Sequence, residues 1–439
     1  RRLEADYVAQ AAAIAKVAGG APVPWTTETN RPCRFFCVCA PNPRPPRHLT
    51  RRSAGFNVQL RRPAIAPLPT QEMPVDTTAL LTVRELRVRA VHVPMPLPLR
   101  TSSGTIQIAP LALIDLLTEQ GITGHTYLFC YTPLVLKPVV QLLENLSPLI
   151  QGDPVAPLAL ERKLQGMFRL LGLKGVTGMA LAGIDMAAWD AQARAQGLPL
   201  ARLLGADRDR VPAYNSCGLG MIGSHDAPAE AEHLLVHGFE AIKVRLGYVE
   251  ARTDVEVVWA VRRAIGERVA LMADYNQILS VAEAVRRTDA LQDEDLHWVE
   301  EPTLADDYSG HAQIRSRTRI PVQMGENWWG THDMAQSLAA GASDLGMPDA
   351  MKIGGVSGWQ RAAALAEAAG MPLSSHLFPE VSAHLLAATP TAHWLEYVDW
   401  ANPVLRSPLR IELGQAVVSD RPGTGIEWDE DAVAQYLVN

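Results

Sequence analysis

Three short phrases between Val269 and Trp329 constrain this chain more than any other stretch. They are VALMADYNQ, LHWVEEP and IPVQMGENWW, each an apolar, strand-like run that ends in an acid. The acids are Asp274, Glu300 and Glu326, with steps of 300 − 274 = 26 and 326 − 300 = 26 residues. Such a step holds one strand, one helix and two loops, the repeat of a parallel β/α array. Acids at the C-terminal ends of successive parallel strands converge at one mouth of a barrel, where barrel enzymes carry their chemistry. Converging carboxylates repel one another, and a hard divalent cation relieves the repulsion. The pattern predicts a Mg²⁺ site, with Mn²⁺ as a substitute.

The alternation extends on both sides of these phrases. Strands are expected at VPAYNSCG, AIKVRLG, VALMADYNQ, HWVEEP, PVQMGEN, LGMPDAMK, PLSSHLF and HWLEYVD, with helical stretches between them. Eight strands and seven helices describe a modified TIM barrel, an α/β fold of (β/α)₇β type. No G-x-G-x-x-G follows a strand and no P-loop is present, so a nucleotide-binding doubly wound sheet lacks support. Before the barrel the order changes. TVRELRVRAVHVPM alternates as a half-buried strand does, LRTSSGTIQ reads as a turn-rich loop, and LALIDLLTEQGITGHTYLF reads as two strands of a meander. Helical spacing follows over 132–150, 155–171 and 177–196. Strands followed by helices indicate an N-terminal α+β domain. Asp185, Trp189 and Asp190 are expected to pack and bond within their helix.

Residues 1–72 differ. They carry 11 Lys/Arg against 4 Asp/Glu, and the remainder carries 29 against 43. PNPRPPRHLTRR has no sustained periodicity, so this basic, Pro/Arg-rich extension reads as a disordered tail or an artefact, with Met73 as the natural start. The acidic body gives no reason to expect nucleic acid. No apolar run approaches the roughly 20 residues of a membrane helix. Cys33, Cys37 and Cys39 lack a second Cys/His pair for zinc, and Cys130 and Cys217 read as buried thiols. Nothing suggests a disulfide framework, so a cytoplasmic location is expected.

Polar groups recur at the strand ends: Ser216; Lys243 and Arg245; Asp274 and Asn276; Glu300; Glu326; Asp349 and Lys352; His376; and Glu396. Each alone has a bland reading. An acid after a strand is commonly a helix cap, a His on an apolar strand a core histidine, a Lys or Arg a solvated cation. Their shared rim outweighs those readings. Glu301 should face away from Glu300 and is not expected as a primary ligand. A divalent ion flanked by Lys243 on one side and His376 with Asp349 on the other suits removal of a proton next to a carboxylate. The resulting enediolate needs concentrated positive charge. Glu396, kept protonated, could donate to the developing oxyanion, and Asp349 could fix the tautomer of His376.

From about Leu80 to Asn439 the chain resembles the mandelate racemase family of the enolase superfamily. The likeness is carried by LMADYNQ, VEEPTL, PVQMGENW, MPDAMKIGGVSGW, SSHLFPEVSAHLLAATPTAHWLE and RPGTGIEW. The resemblance implies a capping domain over 73–205, a Mg²⁺-binding barrel over 206–400 and a C-terminal segment, 401–439, that completes the cap. It implies Asp274, Glu300 and Glu326 as Mg²⁺ ligands, a His376–Asp349 dyad as base, Lys243 as an electrophile and Glu396 as a general acid. Asn276, Lys352 and Ser216 become supporting substrate contacts. Ser103, Ile106, Phe129 and Tyr131 become pocket residues, with Ser103 where the family's capping loop is apolar. The substrate is then a small carboxylate, and the assembly a homo-oligomer, an octamer in the family pattern.

One departure bears on the reaction. The racemase motif on the second strand is Lys-x-Lys, whose second Lys is the base on one face of the substrate. Here it reads Lys243-Val244-Arg245. A guanidinium is a good donor and a poor base. The closeness of the resemblance makes racemisation of a 2-hydroxy acid the first expectation, with Arg245 as an unusual base. Arg245 itself favours an acid-sugar dehydratase, which needs no second-face base. A metal-binding pseudoenzyme is opposed by the complete triad and dyad.

Overall fold

The computed structural model describes residues 80–438. The basic extension, its three cysteines and Met73 lie outside the described residues. The first element is an antiparallel meander of β1 (Val83–Thr101), β2 (Gly104–Thr118) and β3 (Thr123–Phe129), in the order β1-β2-β3. The stretch expected as a loop is instead a tight hairpin, with Leu99 paired to Ile106 and Thr101 to Gly104. Gly104, at φ 131°, supplies the turn. The register slips near the strand's start, between Val83 and Glu85, and again between Pro94 and Leu99, where Pro96 and Pro98 have no N–H to give the ladder.

Helices α1 (Pro133–Ile150), α2 (Pro157–Met167) and α3 (Val176–Ala195) follow. Small residues let α3 approach its neighbours closely. A Cβ on Gly183 would press on Leu128 at 3.2 Å. Of the polar residues of α3, only Asp190 bonds within the helix as expected, accepting from Arg194 Nε (2.5 Å); the other bonds run outward. Asp185 accepts from the backbone N–H of Ser357 (3.0 Å), Trp189 donates to Ser357 Oγ (2.9 Å), and Asp190 accepts from His125 N (2.8 Å) and Thr424 N (2.6 Å). Buried carboxylates need donors, and an α-helix interior has no free N–H to offer.

The barrel runs through β4 (Arg210–Asn215), β5 (Ala241–Arg245), β6 (Ala270–Asp274), β7 (Leu296–Glu300), β8 (Val322–Met324) and β9 (Leu345–Gly346), all parallel. β10 (Leu395–Tyr397) returns to pair with β4. Between β9 and β10 the expected seventh strand forms only single bridges, Leu373 to Gly346 and to Ala392, and His376 to Asp349. Its backbone still closes the ring, with Ser374 N–H to Gly346 O (2.8 Å) and Ser375 N–H to Trp394 O (2.9 Å). Seven helices connect the strands: α4 (Gly223–Leu234), α5 (Ala251–Ile265), α6 (Val281–Ala290), α7 (Tyr308–Arg315), α8 (Thr331–Ala340), α9 (Gly355–Ala369) and α10 (Pro379–Ala387). Where an eighth would follow, a ribbon of β11 (Ile411–Glu412) and β12 (Gln415–Val417) joins β4 antiparallel. Among the described residues, no helix is long and apolar enough to cross a membrane.

The C-terminal stretch returns to the meander. Trp428 Nε1 donates to Asp115 Oδ1 (2.7 Å), and Val438 N–H donates to Ala90 O (2.9 Å). Asp115 is fully buried and also receives His125 (2.7 Å) and Arg89 (3.0 Å). Burial pushes its carboxyl up, but these donors and cations prevail and hold it at about 2. A depressed acid stabilises the fold above its unfolded value and loses that contribution as the pH falls through its folded value. The shift from 3.8 to about 2 is worth about 2 kcal/mol. The stability advantage of the wild type over Asp115→Asn, read by urea unfolding, should therefore shrink between about pH 4 and about pH 2.

Candidate active site

Strand register builds the site. Arg245 is paired with Asp274, and Asp274 with Glu300, so three strand ends present charged groups side by side. Glu326 lies two residues beyond β8. Gly325 makes the intervening turn at φ 133°, where a Cβ would meet the Trp328 ring at 2.7 Å and Met347 N at 3.0 Å. Asp349 and Lys352, expected on the sixth strand, fall in the turn after β9, because that strand ends at Gly346. The hydrogen bonds of the Asp349 carboxylate to the N–H groups of Met351 (2.8 Å) and Lys352 (3.0 Å) form that turn.

Asp274, Glu300 and Glu326 each offer an oxygen, all within 4.8 Å of one another, and all three are buried. Burial pushes the carboxyls of Asp274 and Glu300 up, and neighbouring acids add to the effect: Glu326 for Asp274, Asp274 for Glu300. Glu326 goes the other way. Burial is outweighed there by His376, Lys352 and Lys243. An all-carboxylate set of this size, short of cations, fits a hard divalent ion. Asn276, left-handed at φ 45°, braces Asp274 through its backbone N–H (2.8 Å) and its Nδ2 (2.9 Å).

Lys243 Nζ sits among the acids, 2.8 Å from Glu300, 2.8 Å from Glu396 and 3.6 Å from Asp274. Burial alone would lower its pKa, but Glu300 and Glu396 raise it well above the usual range, so the ammonium stays charged. His376 Nδ1 meets Asp349 Oδ2 at 2.7 Å, while Nε2 faces Glu326 (3.2 Å) and Glu396 (3.9 Å). Burial is overcome here too, by Glu326 and Glu396, and the imidazole pKa rises.

Two expectations change at Glu396 and Ser216. Glu396 was expected as a neutral donor. Burial raises its pKa, yet Lys243, His376 and Arg245 hold it well below the usual carboxylate range. It accepts from Lys243, from Ser216 Oγ (2.7 Å) and from Leu377 N–H (2.9 Å). Ser216, expected to touch substrate, is fully buried and does not line the cavity. Its hydroxyl sits between Glu396 and Arg245 Nη2 (2.7 Å). Arg245 Nη1 donates to two carbonyls, Ser216 O (2.9 Å) and Gly218 O (2.7 Å). Arg245 thus lines the cavity with its guanidinium tied to Ser216 and Gly218.

A cavity of about 520 Å³ opens over these groups, with Lys243, Arg245, Asp274, Glu326 and His376 in its wall. The meander supplies Ser103, Ile106 and Phe129, and the turn just after β3 supplies Tyr131. Lys352 Nζ lies 4.5 Å from the centre of the Tyr131 ring and donates to Asn327 Oδ1 (2.7 Å). Asn327 is a residue that strand-end reasoning missed. Its Nδ2 donates to both Glu301 (2.6 Å) and Glu326 (3.0 Å). Its place directly after Glu326 was the available signal. Glu301 is not one of the three converging acids, but it shares Asn327 with Glu326, and burial together with Glu326 pushes its carboxyl up to about 8.

Comparison with known proteins agrees with this geometry. Residues 83–205 match the mandelate racemase/muconate lactonizing enzyme N-terminal domain, and residues 226–432 match the enolase C-terminal domain-like family. The chain belongs to the enolase/mandelate racemase superfamily. It is 35% identical to an L-talarate/galactarate dehydratase of Salmonella typhimurium over 60% of this chain and 66% of that one. It is 32% identical to a D-galactarolactone cycloisomerase of Agrobacterium fabrum over 66% of this chain and 82% of that one. A Bradyrhizobium enolase crystallised with magnesium and mandelic acid is 45% identical, with a TM-score of 0.79, over 82% of this chain and 100% of that one. The cofactor is Mg²⁺, and the supported step is Mg²⁺-dependent removal of a proton α to a carboxylate. Asn276→Gly keeps the left-handed backbone but removes the amide that orients Asp274. It should weaken Mg²⁺ binding, measured calorimetrically, by roughly 10–100-fold.

Proposed function

We propose that this enzyme dehydrates an acid sugar, an aldonate or aldarate, by one-face chemistry at His376. The reading rests on Arg245. Its guanidinium has no acceptor site and is tied to Ser216 and Gly218, so the rim offers no base where a racemase carries its second lysine. Asp274, Glu300 and Glu326 would hold Mg²⁺, which supplies positive charge to the substrate carboxylate when bound. Lys243 adds a second positive charge beside that carboxylate, and Glu396 keeps Lys243 in place. Asp349 holds Nδ1 of His376, leaving Nε2 to take the α-proton. The C–H electrons move toward the carboxylate. The β C–O bond then breaks, the imidazolium returns its proton to the departing hydroxide as water, and the enol rearranges to a 2-keto acid. Lys352 and Asn327 face the same cavity as donors to substrate hydroxyls, with Asn276, Ser103 and Tyr131 beside them. Ile106 and Phe129 cover the carbon chain.

Racemisation of a mandelate-type acid is the second reading. Leu99, Ile106, Phe129, Val135, Met179 and Trp400 give the cavity an apolar wall, and the Bradyrhizobium relative was crystallised with mandelic acid.

The two are separated by incubating the Mg²⁺-loaded enzyme in D₂O with a panel of aldonates and aldarates and with each mandelate enantiomer. A 2-keto acid from one acid sugar is expected, with deuterium entering neither or only one mandelate. Exchange and inversion from both mandelates, with no keto acid, would sink the dehydratase. His376→Asn should lower the dehydration kcat by roughly 10²–10⁴-fold. Arg245→Lys should place a titratable amine on the second face. Exchange from the second mandelate enantiomer should then rise, by proton NMR, while dehydration falls.

A further inference from the structure

A second cavity, of about 540 Å³, lies outside the active site. Its wall comes from the start of β4, the first turn of α10 and the C-terminal stretch after β10. Arg210, Arg410 and Arg421 line it, together with Ser407 and Ser419. Glu380 also lines it, and this residue is only 5% exposed. Glu380 Oε2 accepts from the Tyr127 hydroxyl (2.8 Å), but Oε1 has no partner. A buried oxygen without a hydrogen bond costs about 1–3 kcal/mol and marks a place where a partner belongs.

We infer that this cavity is a binding site for a small hydroxylated carboxylate, separate from the active site. Three guanidinium groups select an anion, and their planar forks match a carboxylate. Two of them, Arg210 (2.7 Å) and Arg410 (3.1 Å), share Glu412, and Arg421 reaches Glu427 at 3.5 Å. Glu412 and Glu427 do not line the cavity and are partly exposed, so these ion pairs are weak competitors. A hydroxyl group both donates and accepts. It can therefore satisfy Glu380 Oε1 whether the carboxyl is ionised or, as its burial favours, protonated. The hydroxyls of Ser407 and Ser419 already accept from Arg421 Nη2 (3.0 Å) and Arg421 N–H (3.3 Å), and each keeps a proton to donate. Asp209 and Asp420 also line the cavity, which disfavours a multiply charged anion and leaves a monocarboxylate with hydroxyls as the best match.

The test is calorimetric titration of the Mg²⁺-loaded, full-length enzyme with D-gluconate, and with hexanoate as a carboxylate lacking hydroxyls. Gluconate should bind, and Glu380→Gln and Arg410→Ala should each weaken one binding event at least tenfold. Hexanoate should not produce that event. Arg410 is largely exposed, and an unchanged melting temperature for its variant separates loss of a contact from loss of fold. An isotherm identical in wild type and both variants overturns the proposal, as does hexanoate binding equal to that of gluconate. The active-site reading stands apart. If gluconate is neither bound nor turned over at the rim, the event lost in Glu380→Gln remains in the wild type.

Discussion

The repulsion among buried carboxylates, only partly offset by Lys243, governs this molecule. Asp274, Glu300, Glu326 and Glu396 are each no more than 8% exposed, and Lys243 is 1% exposed. Such a cluster is tolerable only when opposite charges and donors meet nearly every oxygen. Parallel strands bring the acids to one rim, the turn at Gly325 aims the third, and the meander roofs them over. The same low-dielectric setting that makes the cluster costly gives a bound cation its leverage on a substrate carboxylate.

Arg245 shows how one longer side chain redirects a shared framework. A lysine at this strand position would end near the cavity with a titratable amine. The guanidinium instead spends three hydrogen bonds on Ser216 and Gly218. Ser216 is thereby drawn into a chain from Arg245 to Glu396 and away from the cavity wall. Ser216, a substrate contact in the family pattern, here hydrogen-bonds both Arg245 and Glu396. Charge is conserved between lysine and arginine, but proton-transfer capacity is not.

Much of this was legible in the chain. The 26-residue phase of Asp274, Glu300 and Glu326 announced both the β/α repeat and the metal site, because strand, helix and loop lengths are set by local geometry. The His376–Asp349 pair formed as expected at 2.7 Å. The hairpin at Gly104 was misread as a loop because its polar residues carry a turn signal, while pairing with a neighbour decides whether strands continue through it. Asp185 on α3 differs from expectation for a similar reason, while Asp190 keeps its bond to Arg194 and adds outside partners. Periodicity tells which face of a helix is buried, and it does not tell which partner waits there.

The sequence by itself determined the barrel, its capping meander, the converging acidic triad and the His376–Asp349 pair, since periodicity and strand-end placement are local properties of the chain. Only the tertiary structure decided where the Arg245 guanidinium is tied, that Glu396 is held as an anion, that Asn327 bridges Glu301, Glu326 and Lys352, and that Glu380 has an unpartnered oxygen beside a second cavity. Those outcomes depend on distances between residues remote in the chain and on burial, which sets the strength of every charge.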